Sequence, residues 1–204
     1  MTQIIGVIPA RMGSSRFPGK LMEDLVGEPV ISRTYQAVIN TKLFDDVYVV
    51  TDSSIIFNEI NSRGGNVLMS KNKHESGSDR IAEVVRNIKC DIVVNVQGDE
   101  PLIEPSDINL ILKRYIESPG KCYCGMSKIT NEEDFYNPNI PKVVVSSSNK
   151  LLYISRAAIP TTKKLDMIEA KKQVCIYAFT KDSLNEFGVN SKKEENESVE
   201  DIEI

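Results

Sequence analysis

The sequence predicts an α/β protein with a mainly parallel central sheet and helices on both of its faces. Short apolar runs of strand length alternate with segments that carry helical spacing and helix caps. The first run, Gln3–Ile8, is almost continuously apolar, which is typical of a strand covered on both sides. Right-handed crossovers between such strands fix most of the topology, so ligands are expected at the carboxyl ends of the strands.

Caps and chain breakers place the other elements of this parallel part. Pro29 is expected in the first turn of a helix that ends near Ile39. Asp52 or Ser53 is expected to cap the next helix, which ends near Gly64. Two further helices are predicted, one at Ser78–Ile88 with Ser78 or Asp79 as its N-cap and one at Glu104–Ile116. Strands are predicted at Asp46–Thr51, Asn66–Met69 and Asp91–Val96.

From Lys121 onward the pattern changes to irregular strand-like pieces separated by turns. The pieces are Cys122–Ile129, Lys142–Ser146, Leu151–Ile154 and Val174–Thr180. We expect a smaller mixed or antiparallel β region at the edge of the parallel sheet, which would form a lid or a wall of the site for an acceptor substrate. The prediction is therefore one domain over residues 1–204, with a βαβ part at 1–120, this β part at 121–190 and an acidic helix at 191–204.

The charge balance argues against a nucleic-acid partner. The formal net charge is −4 at pH 7, and Lys192–Ile204 accounts for all of it with two lysines and six acids. The rest of the chain is neutral overall. The sequence has neither a signal-like start nor an apolar run near the ~18 residues of a membrane span, so we expect a cytoplasmic protein without a membrane partner.

The four cysteines lack the paired spacing of a zinc site, and only His74 could add an imidazole ligand. We interpret them as reduced and mostly buried small apolar residues. They are Cys90, Cys122, Cys124 and Cys175.

A basic loop punctuated by glycines follows the first strand, and its chemistry is that of a phosphate cradle. From Ile8 to Lys20 there is no acid, while backbone N–H groups, hydroxyls and cations can face an anion: Gly13, Ser14 and Ser15, with Arg11, Arg16 and Lys20. Spacing alone fits an ordinary strand-to-helix turn equally well. The Walker pattern is excluded because Gly13 and Gly19 stand one residue too far apart, and the fingerprint G-x-G-x-x-G is absent.

A second polar segment, Gln97–Pro101, follows the strand at Asp91–Val96. Its carboxylates emerge at the same edge of the sheet as the basic loop. Because Mg²⁺ takes one or two carboxylates together with phosphate oxygens, Asp99 is the metal candidate. The alternative is that these acids only cap the helix that follows.

The segment His74–Arg80 lies between these elements and could hold a ribose or a base edge through the N–H groups at the start of its helix. The alternative is a solvated histidine beside an ordinary helix cap. In the later β region, Lys142, Arg156 and Tyr177 are the polar candidates for contacting an acceptor.

Six ordered motifs carry a resemblance to the 3-deoxy-manno-octulosonate (Kdo) cytidylyltransferase family. They are I-P-A-R-M-G-S-S-R-F-P-G-K, V-T-D-S, H-E-S-G-S-D-R-I-A-E-V, V-N-V-Q-G-D-E-P, N-P-N-I-P-K-V-V and Y-I-S-R-A-A-I-P, and the match spans about residues 4 to 204. The sialic-acid cytidylyltransferases resemble the chain less in the third and fourth motifs. The resemblance implies a Rossmann-like nucleotidyltransferase fold.

The resemblance also implies an activity and a set of site residues. The implied activity is transfer of CMP from CTP to a Kdo-like sugar acid, with release of pyrophosphate, for the synthesis of surface lipopolysaccharide precursors. The resemblance also implies that Asp99 binds Mg²⁺ and that the protein is a homodimer. Arg11, Lys20 and Asp99 are the implied catalytic residues. The implied nucleotide contacts are Ala10, Arg11, Gly13, Ser14, Lys20, Ser76, Gly77, Asp79, Arg80 and Gln97; the acceptor contacts are Glu100, Pro101, Lys142, Arg156, Gln173 and Tyr177.

Two departures from the family pattern leave alternatives open. Gln173 stands where the family has a histidine before its G-I-Y segment, so a different acidic sugar is one alternative. The family also continues beyond the acidic helix, with a second acidic metal ligand. We therefore expect a shortened C-terminus with an uncovered apolar stripe at Val199, Ile202 and Ile204. The other alternative is a weakly active or inactive remnant that binds CTP or forms a dimer.

Overall fold

The computed structural model describes residues 2–13, 17–72, 74, 76–188, 195–200 and 202. Its strands are β1 (Ile4–Ala10), β2 (Asp46–Thr51), β3 (Val67–Met69), β4 (Ile92–Val96), β5 (Cys122–Ile129), β6 (Lys142–Val145), β7 (Leu151–Ser155) and β8 (Ala170–Thr180). The α-helices are α1 (Val30–Asn40), α2 (Ser54–Ser62), α3 (Gly77–Val85), α4 (Pro105–Glu117), α5 (Glu132–Tyr136), α6 (Lys181–Phe187) and α7 (Glu195–Glu200), and Lys20–Met22 forms a short 3-10 helix.

The chain divides into two units. The first unit contains Met1–Tyr123 and Ile176–Ser191, and the second contains Cys124–Cys175 and Lys192–Ile204. Strand β8 begins in the second unit and ends in the first. The expected single domain with its parts at 1–120, 121–190 and 191–204 stays a prediction.

In the first unit the strands lie in the order β3-β2-β1-β4, followed by the last residues of β8. The pairs β3–β2, β2–β1 and β1–β4 are parallel, and β4 pairs with β8 in the antiparallel direction. Ile5 is in register with both Asp46 and Val93. Strands β1 and β4 are therefore neighbours, and the loops that follow them leave the sheet side by side. The predicted α/β class with a parallel core is confirmed.

Burial in the core of this unit explains why its central strands are mainly apolar. Ile5, Val7 and Ile8 of β1 have no exposed surface, and Val93 and Val94 of β4 are equally buried. The helices bury one face each, for example Ile31 and Val38 in α1 and Ile81 and Val85 in α3. Complete burial of one such side chain contributes about 1.5–3 kcal/mol. In the described part of the chain, no helix combines the length and the apolar character that crossing a bilayer requires.

In the second unit β6 pairs with β7 and with the first half of β8 in the antiparallel direction. One cluster of buried residues contains Ile129, Phe135 and Ala170. Another contains Val143, Ile154 and Ile202. Of the mixed or antiparallel arrangement predicted for this region, these pairs show the antiparallel form.

The predicted apolar stripe of the C-terminal segment was wrong at Ile202, which is only 6% exposed because it packs on β6 and β7. Val199 is exposed as expected, and Ile204 lies outside the described residues. A hydrophobic residue after the acidic helix therefore belongs to the core of the second unit. It anchors α7 to that unit.

Three smaller predictions also need correction. All four cysteines are free, but only Cys90 is buried, while Cys122 and Cys175 are exposed on the strands β5 and β8. Pro29 precedes α1 rather than occupying its first turn. The N-cap of α3 is Ser76, whose Oγ accepts the N–H of Asp79, and not Ser78 or Asp79.

Candidate active site

The loops after β1 and β4 meet at the carboxyl edge of the sheet. Gly19 has φ 78°, a backbone conformation that glycine adopts without steric cost, and its N–H donates to Met12 O at 2.9 Å. This contact closes the basic loop and starts the 3-10 helix at Lys20. Gly98 lies so close to β1 that a Cβ atom there would stand 3.1 Å from Pro9 O. Thr34 of α1 donates its hydroxyl to Gly98 O at 2.9 Å, which holds the second loop in place.

These two loops bring Lys20 and Asp99 into contact. The Lys20 ammonium donates to the Asp99 carboxylate and forms an ion pair with it. The two side chains are 39% and 40% exposed, so the pair is accessible to a ligand from solvent. The cation predicted for the triphosphate and the carboxylate predicted for the metal are thus direct neighbours.

Glu100 follows Asp99 in the chain, and its surroundings shift its pKa. Protein atoms around the Glu100 carboxylate and the charge of Asp99 raise the pKa of Glu100, and Lys20 opposes this shift only in part. Glu100 nevertheless remains accessible to solvent, and Gln97 and Pro101 are half-buried. The Glu100 carboxylate is therefore protonated more readily than an ordinary glutamate.

The rest of the basic loop lies partly within the described residues. Ala10 is the buried last residue of β1, and Arg11 and Gly13 are exposed. Ser14 lies outside the described residues, as do Ser15 and Arg16. The nucleotide contacts implied for these side chains stay predictions.

Arg80 of α3, which the sequence suggested as a nucleotide ligand, is bonded to residues that follow β2 and β3. The guanidinium is 3% exposed and donates to Ser70 Oγ at 2.7 Å and to Asp52 Oδ2 at 2.9 Å. It therefore joins the ends of β2 and β3 to α3. Ser76 caps α3 and donates to Asp79 Oδ2 at 2.8 Å, so Ser76, Gly77 and Asp79 stand together at the start of the helix.

Glu83, one turn further along α3, was not identified from the sequence. Its carboxylate accepts the N–H of Lys71 at 2.8 Å and the N–H of Asn72 at 3.3 Å, and it contacts Nε2 of His74. The available signal was its position three residues after Arg80 on the same helix, but amide donors from a preceding loop cannot be anticipated from spacing.

In the second unit the structure gives Lys142 a set of internal partners. The residue has no exposed surface, and its ammonium donates to the carbonyl oxygens of Asn137, Ile140 and Arg156 at 2.7, 2.8 and 3.1 Å. Removal from water and the charge of Arg156 lower the pKa of Lys142. The ammonium thus stabilises the turn before β6, and its contact with an acceptor stays a prediction.

Arg156 follows β7 and is joined to α7 by Glu200. Its N–H donates to Glu200 Oε2 at 2.9 Å, its Nε donates to Glu200 O, and its Nη1 donates to Pro138 O at 3.1 Å. Glu200 also accepts the Ser155 hydroxyl at 2.6 Å. The Arg156 N–H and the Ser155 hydroxyl lower the pKa of Glu200.

The last two acceptor candidates lie on β8. Gln173 belongs to the second unit, is half-buried, and its N–H donates to Pro141 O at 3.0 Å. Tyr177 belongs to the first unit, is 2% exposed, and is in register with Asn95 of β4. Their roles toward an acceptor stay predictions.

A divalent cation would have few protein ligands here. Among the described residues, no group of three or more histidine, cysteine, aspartate or glutamate side chains is arranged to hold a metal. The accessible Asp99 carboxylate is a hard oxygen donor, which fits Mg²⁺ if phosphate oxygens and water complete the coordination. The residues present therefore fit a metal that arrives together with a nucleotide.

The parallel sheet places a basic loop after its first strand beside a carboxylate after the neighbouring strand, at the edge where α/β sheets bind ligands. The cytidylyltransferase family model matches residues 5–203. Because this match covers nearly the whole sequence, the chain belongs to the cytidylyltransferase family.

Within this family, the chain is similar to several proteins whose substrates are named. The chain is 52% identical over 189 residues to a 3-deoxy-manno-octulosonate cytidylyltransferase of Flavobacterium johnsoniae, with 91% of this chain and 78% of that protein covered. It is 47% identical over 190 residues to the protein of the same name from Christiangramia forsetii, with 91% and 76% covered. A solved structure of CMP:2-keto-3-deoxy-manno-octonic acid synthetase complexed with CTP superposes with a TM-score of 0.90 at 34% identity, over 98% of this chain and 83% of that one.

Proposed function

We propose that this protein transfers CMP from CTP to Kdo and releases pyrophosphate. The observation that carries the proposal is the contact between Lys20 of the basic loop and Asp99 at the adjoining strand end. It supports the proposal because the cation proposed for phosphate binding and the carboxylate proposed for the metal are neighbours at the edge where α/β sheets bind ligands. The names of the relatives and the CTP complex of the similar structure support the choice of substrates.

In this proposal the basic loop binds the leaving part of the nucleotide. Lys20 and Arg11 neutralise the β- and γ-phosphates, so that charge developing on the departing pyrophosphate is stabilised. Asp99 holds Mg²⁺, which when bound neutralises phosphate oxygens and polarises the phosphorus centre. The loop at Ser76–Arg80 and Gln97 orient the nucleoside.

The reaction is a single displacement at phosphorus. The anomeric oxygen of the sugar acid forms a bond to the α-phosphorus, the bond from that phosphorus to the bridging oxygen breaks, and the hydroxyl proton is released to solvent or to a nearby base. Arg156 and Gln173 are the proposed partners of the sugar carboxylate. A guanidinium suits a carboxylate because it can donate two parallel hydrogen bonds.

The test measures pyrophosphate release and the nucleotide sugar with CTP, Mg²⁺ and Kdo. CTP should support turnover, whereas ATP, GTP and UTP should not. Turnover that is equal with all four nucleotides would reject the cytidylyltransferase assignment of this chain. Turnover with other sugar acids, including sialic acid, tests whether the protein, with Gln173 in place of the family's histidine, prefers an acceptor other than Kdo.

The expected setting of this reaction is also a proposal. The nucleotide sugar would feed lipopolysaccharide precursor synthesis in the cytoplasm, and the enzyme would act as a homodimer. Light scattering after size-exclusion chromatography measures the assembly. A monomeric mass with full turnover would contradict the homodimer.

A further inference from the structure

We propose that Glu83, assisted by His74, is a positioning residue for nucleotide binding, acting through the loop between β3 and α3. The inference rests on the proposed function, because this loop carries Ser76 and Gly77, which are the proposed nucleotide contacts. It adds a role for a carboxylate that itself touches no substrate.

The first observation is the number and kind of donors that Glu83 receives. Two consecutive backbone amides use different oxygens of the carboxylate, Lys71 N–H on Oε1 at 2.8 Å and Asn72 N–H on Oε2 at 3.3 Å. The His74 ring contacts Oε2 as well. Hydrogen bonds to an ionised carboxylate are stronger than neutral ones, so these contacts hold the Lys71 and Asn72 backbone and the His74 ring against α3.

The second observation is that the loop is fastened to the same helix at both ends. At its start, Arg80 donates to Ser70 Oγ, and Glu83 holds the next two amides. At its end, Ser76 caps α3 by accepting the N–H of Asp79. The described residues at the two ends of this loop, Ser70–Asn72 and Ser76–Gly77, are therefore held by side chains and amides of the first two turns of α3.

The third observation concerns the charge of Glu83. Partial burial would by itself raise the pKa of this carboxyl, but the Lys71 amide, the His74 ring and the Asn72 amide outweigh that effect and lower it. The carboxylate consequently stays ionised at neutral pH and keeps its full strength as an acceptor.

The fraction of molecules with the loop in its binding conformation sets the apparent affinity for CTP. A ligand that binds only one loop conformation has an apparent dissociation constant equal to the intrinsic value divided by the fraction of molecules in that conformation. If removal of the carboxylate leaves the loop competent in about one molecule in ten, the dissociation constant for CTP rises about ten-fold. Once CTP is bound, the chemistry itself is unchanged.

The chain offers a matched control at Glu59 in α2. Its carboxylate also receives several donors, from the Ser32 hydroxyl at 2.8 Å and from Arg63 Nε at 2.5 Å. The two side chains have nearly the same exposure, 20% for Glu59 and 21% for Glu83. The donors of Glu59 come from α1 and from the end of α2, so its loss should affect stability alone.

The experiment compares wild type with Glu83→Ala and Glu59→Ala by CTP titration calorimetry and steady-state kinetics. We expect about a ten-fold rise in the CTP dissociation constant and KM for Glu83→Ala, with kcat and the KM for Kdo within about two-fold. His74→Ala should shift CTP binding in the same direction by less, because both amide bonds remain. Glu59→Ala should leave CTP binding unchanged.

Hydrogen exchange provides a readout that does not depend on the nucleotide. The Lys71 and Asn72 amides should exchange faster in Glu83→Ala than in wild type. In Glu59→Ala their exchange rates should equal those of wild type. Unaltered CTP binding in Glu83→Ala, with wild type binding CTP normally, would overturn the positioning role alone. A wild-type protein that binds no CTP would instead overturn the proposed function, even if exchange of the two amides still depends on Glu83.

Discussion

The Lys20 ammonium pairs with the Asp99 carboxylate, which joins the loop after β1 to the loop after β4. Both side chains are about two-fifths exposed, and ion pairs of that exposure stabilise a protein by only about 0–1 kcal/mol. The pair can therefore open at little cost. A triphosphate that attracts Lys20 would release Asp99 for a metal ion.

This relationship predicts opposite effects of Lys20→Gln on two ligands. Without nucleotide, the affinity for Mn²⁺ should rise by up to about five-fold, since the carboxylate no longer has a competing cation. The affinity for CTP should fall, because one triphosphate partner is lost. Electron paramagnetic resonance of free Mn²⁺ and calorimetry with CTP measure the two changes.

Arg11→Gln is the control for this prediction, because it removes the same charge from the same loop. Among the described residues, Arg11 forms no ion pair with Asp99. An equal rise in Mn²⁺ affinity in both variants would mean that general electrostatics, and not the Lys20–Asp99 contact, limits metal binding.

Asp99→Asn should abolish turnover while CTP binding in the presence of EDTA persists. The substitution removes the anionic metal ligand from an exposed position, so the melting temperature should stay within about 2 °C of wild type. We expect at least a hundred-fold loss of pyrophosphate release, about 2.7 kcal/mol of transition-state stabilisation. Wild-type turnover in this variant would contradict metal binding by Asp99 and favour the alternative that it only caps the following helix.

Lys142→Met should destabilise the protein, because three carbonyl oxygens in a buried site lose their donor. Unsatisfied buried polar groups cost about 1–3 kcal/mol each before relaxation, so a total loss near 2–4 kcal/mol is expected. Urea unfolding measures it, with exposed Lys150→Met as the control. A stable Lys142→Met protein with a raised KM for Kdo would instead favour the acceptor role that the sequence suggested.

Glu200 should make stability depend on acid pH. Its pKa in the folded protein lies below the ordinary 4.5, so the unfolded chain takes up its proton at a higher pH than the folded chain does. The stabilisation is present above about pH 4.5 and is lost as the pH falls through the folded pKa. Glu200→Gln should lower the melting temperature by about 2–4 °C at pH 7 and by less near pH 3, whereas Glu195→Gln should do neither. A pH-independent difference between Glu200→Gln and wild type would contradict this origin.

Local patterns predicted most of the strands because their causes are local. Strands β2 and β5 have the bounds expected from their apolar and β-branched residues, Asp46–Thr51 and Cys122–Ile129. Helices α5 and α6 were missed since they have only five and seven residues, too few for helical periodicity to register. Their caps, Asn131 and Thr180, were the available signals.

The sequence by itself determined the α/β class, the basic loop and the carboxylate at Asp99, because each depends on residues close together in the chain. Only the tertiary structure showed which polar groups are bonded to distant parts of the protein. Arg80 and Lys142, predicted as ligand contacts, are both buried and bonded to groups of the protein, and their contacts with ligands stay predictions. Glu83 had no predicted role and accepts two amides of a loop, while Ile202 was predicted to be uncovered and belongs to a buried cluster. The physical reason is that burial and hydrogen-bond partners depend on contacts distant in sequence, which spacing along one segment does not encode.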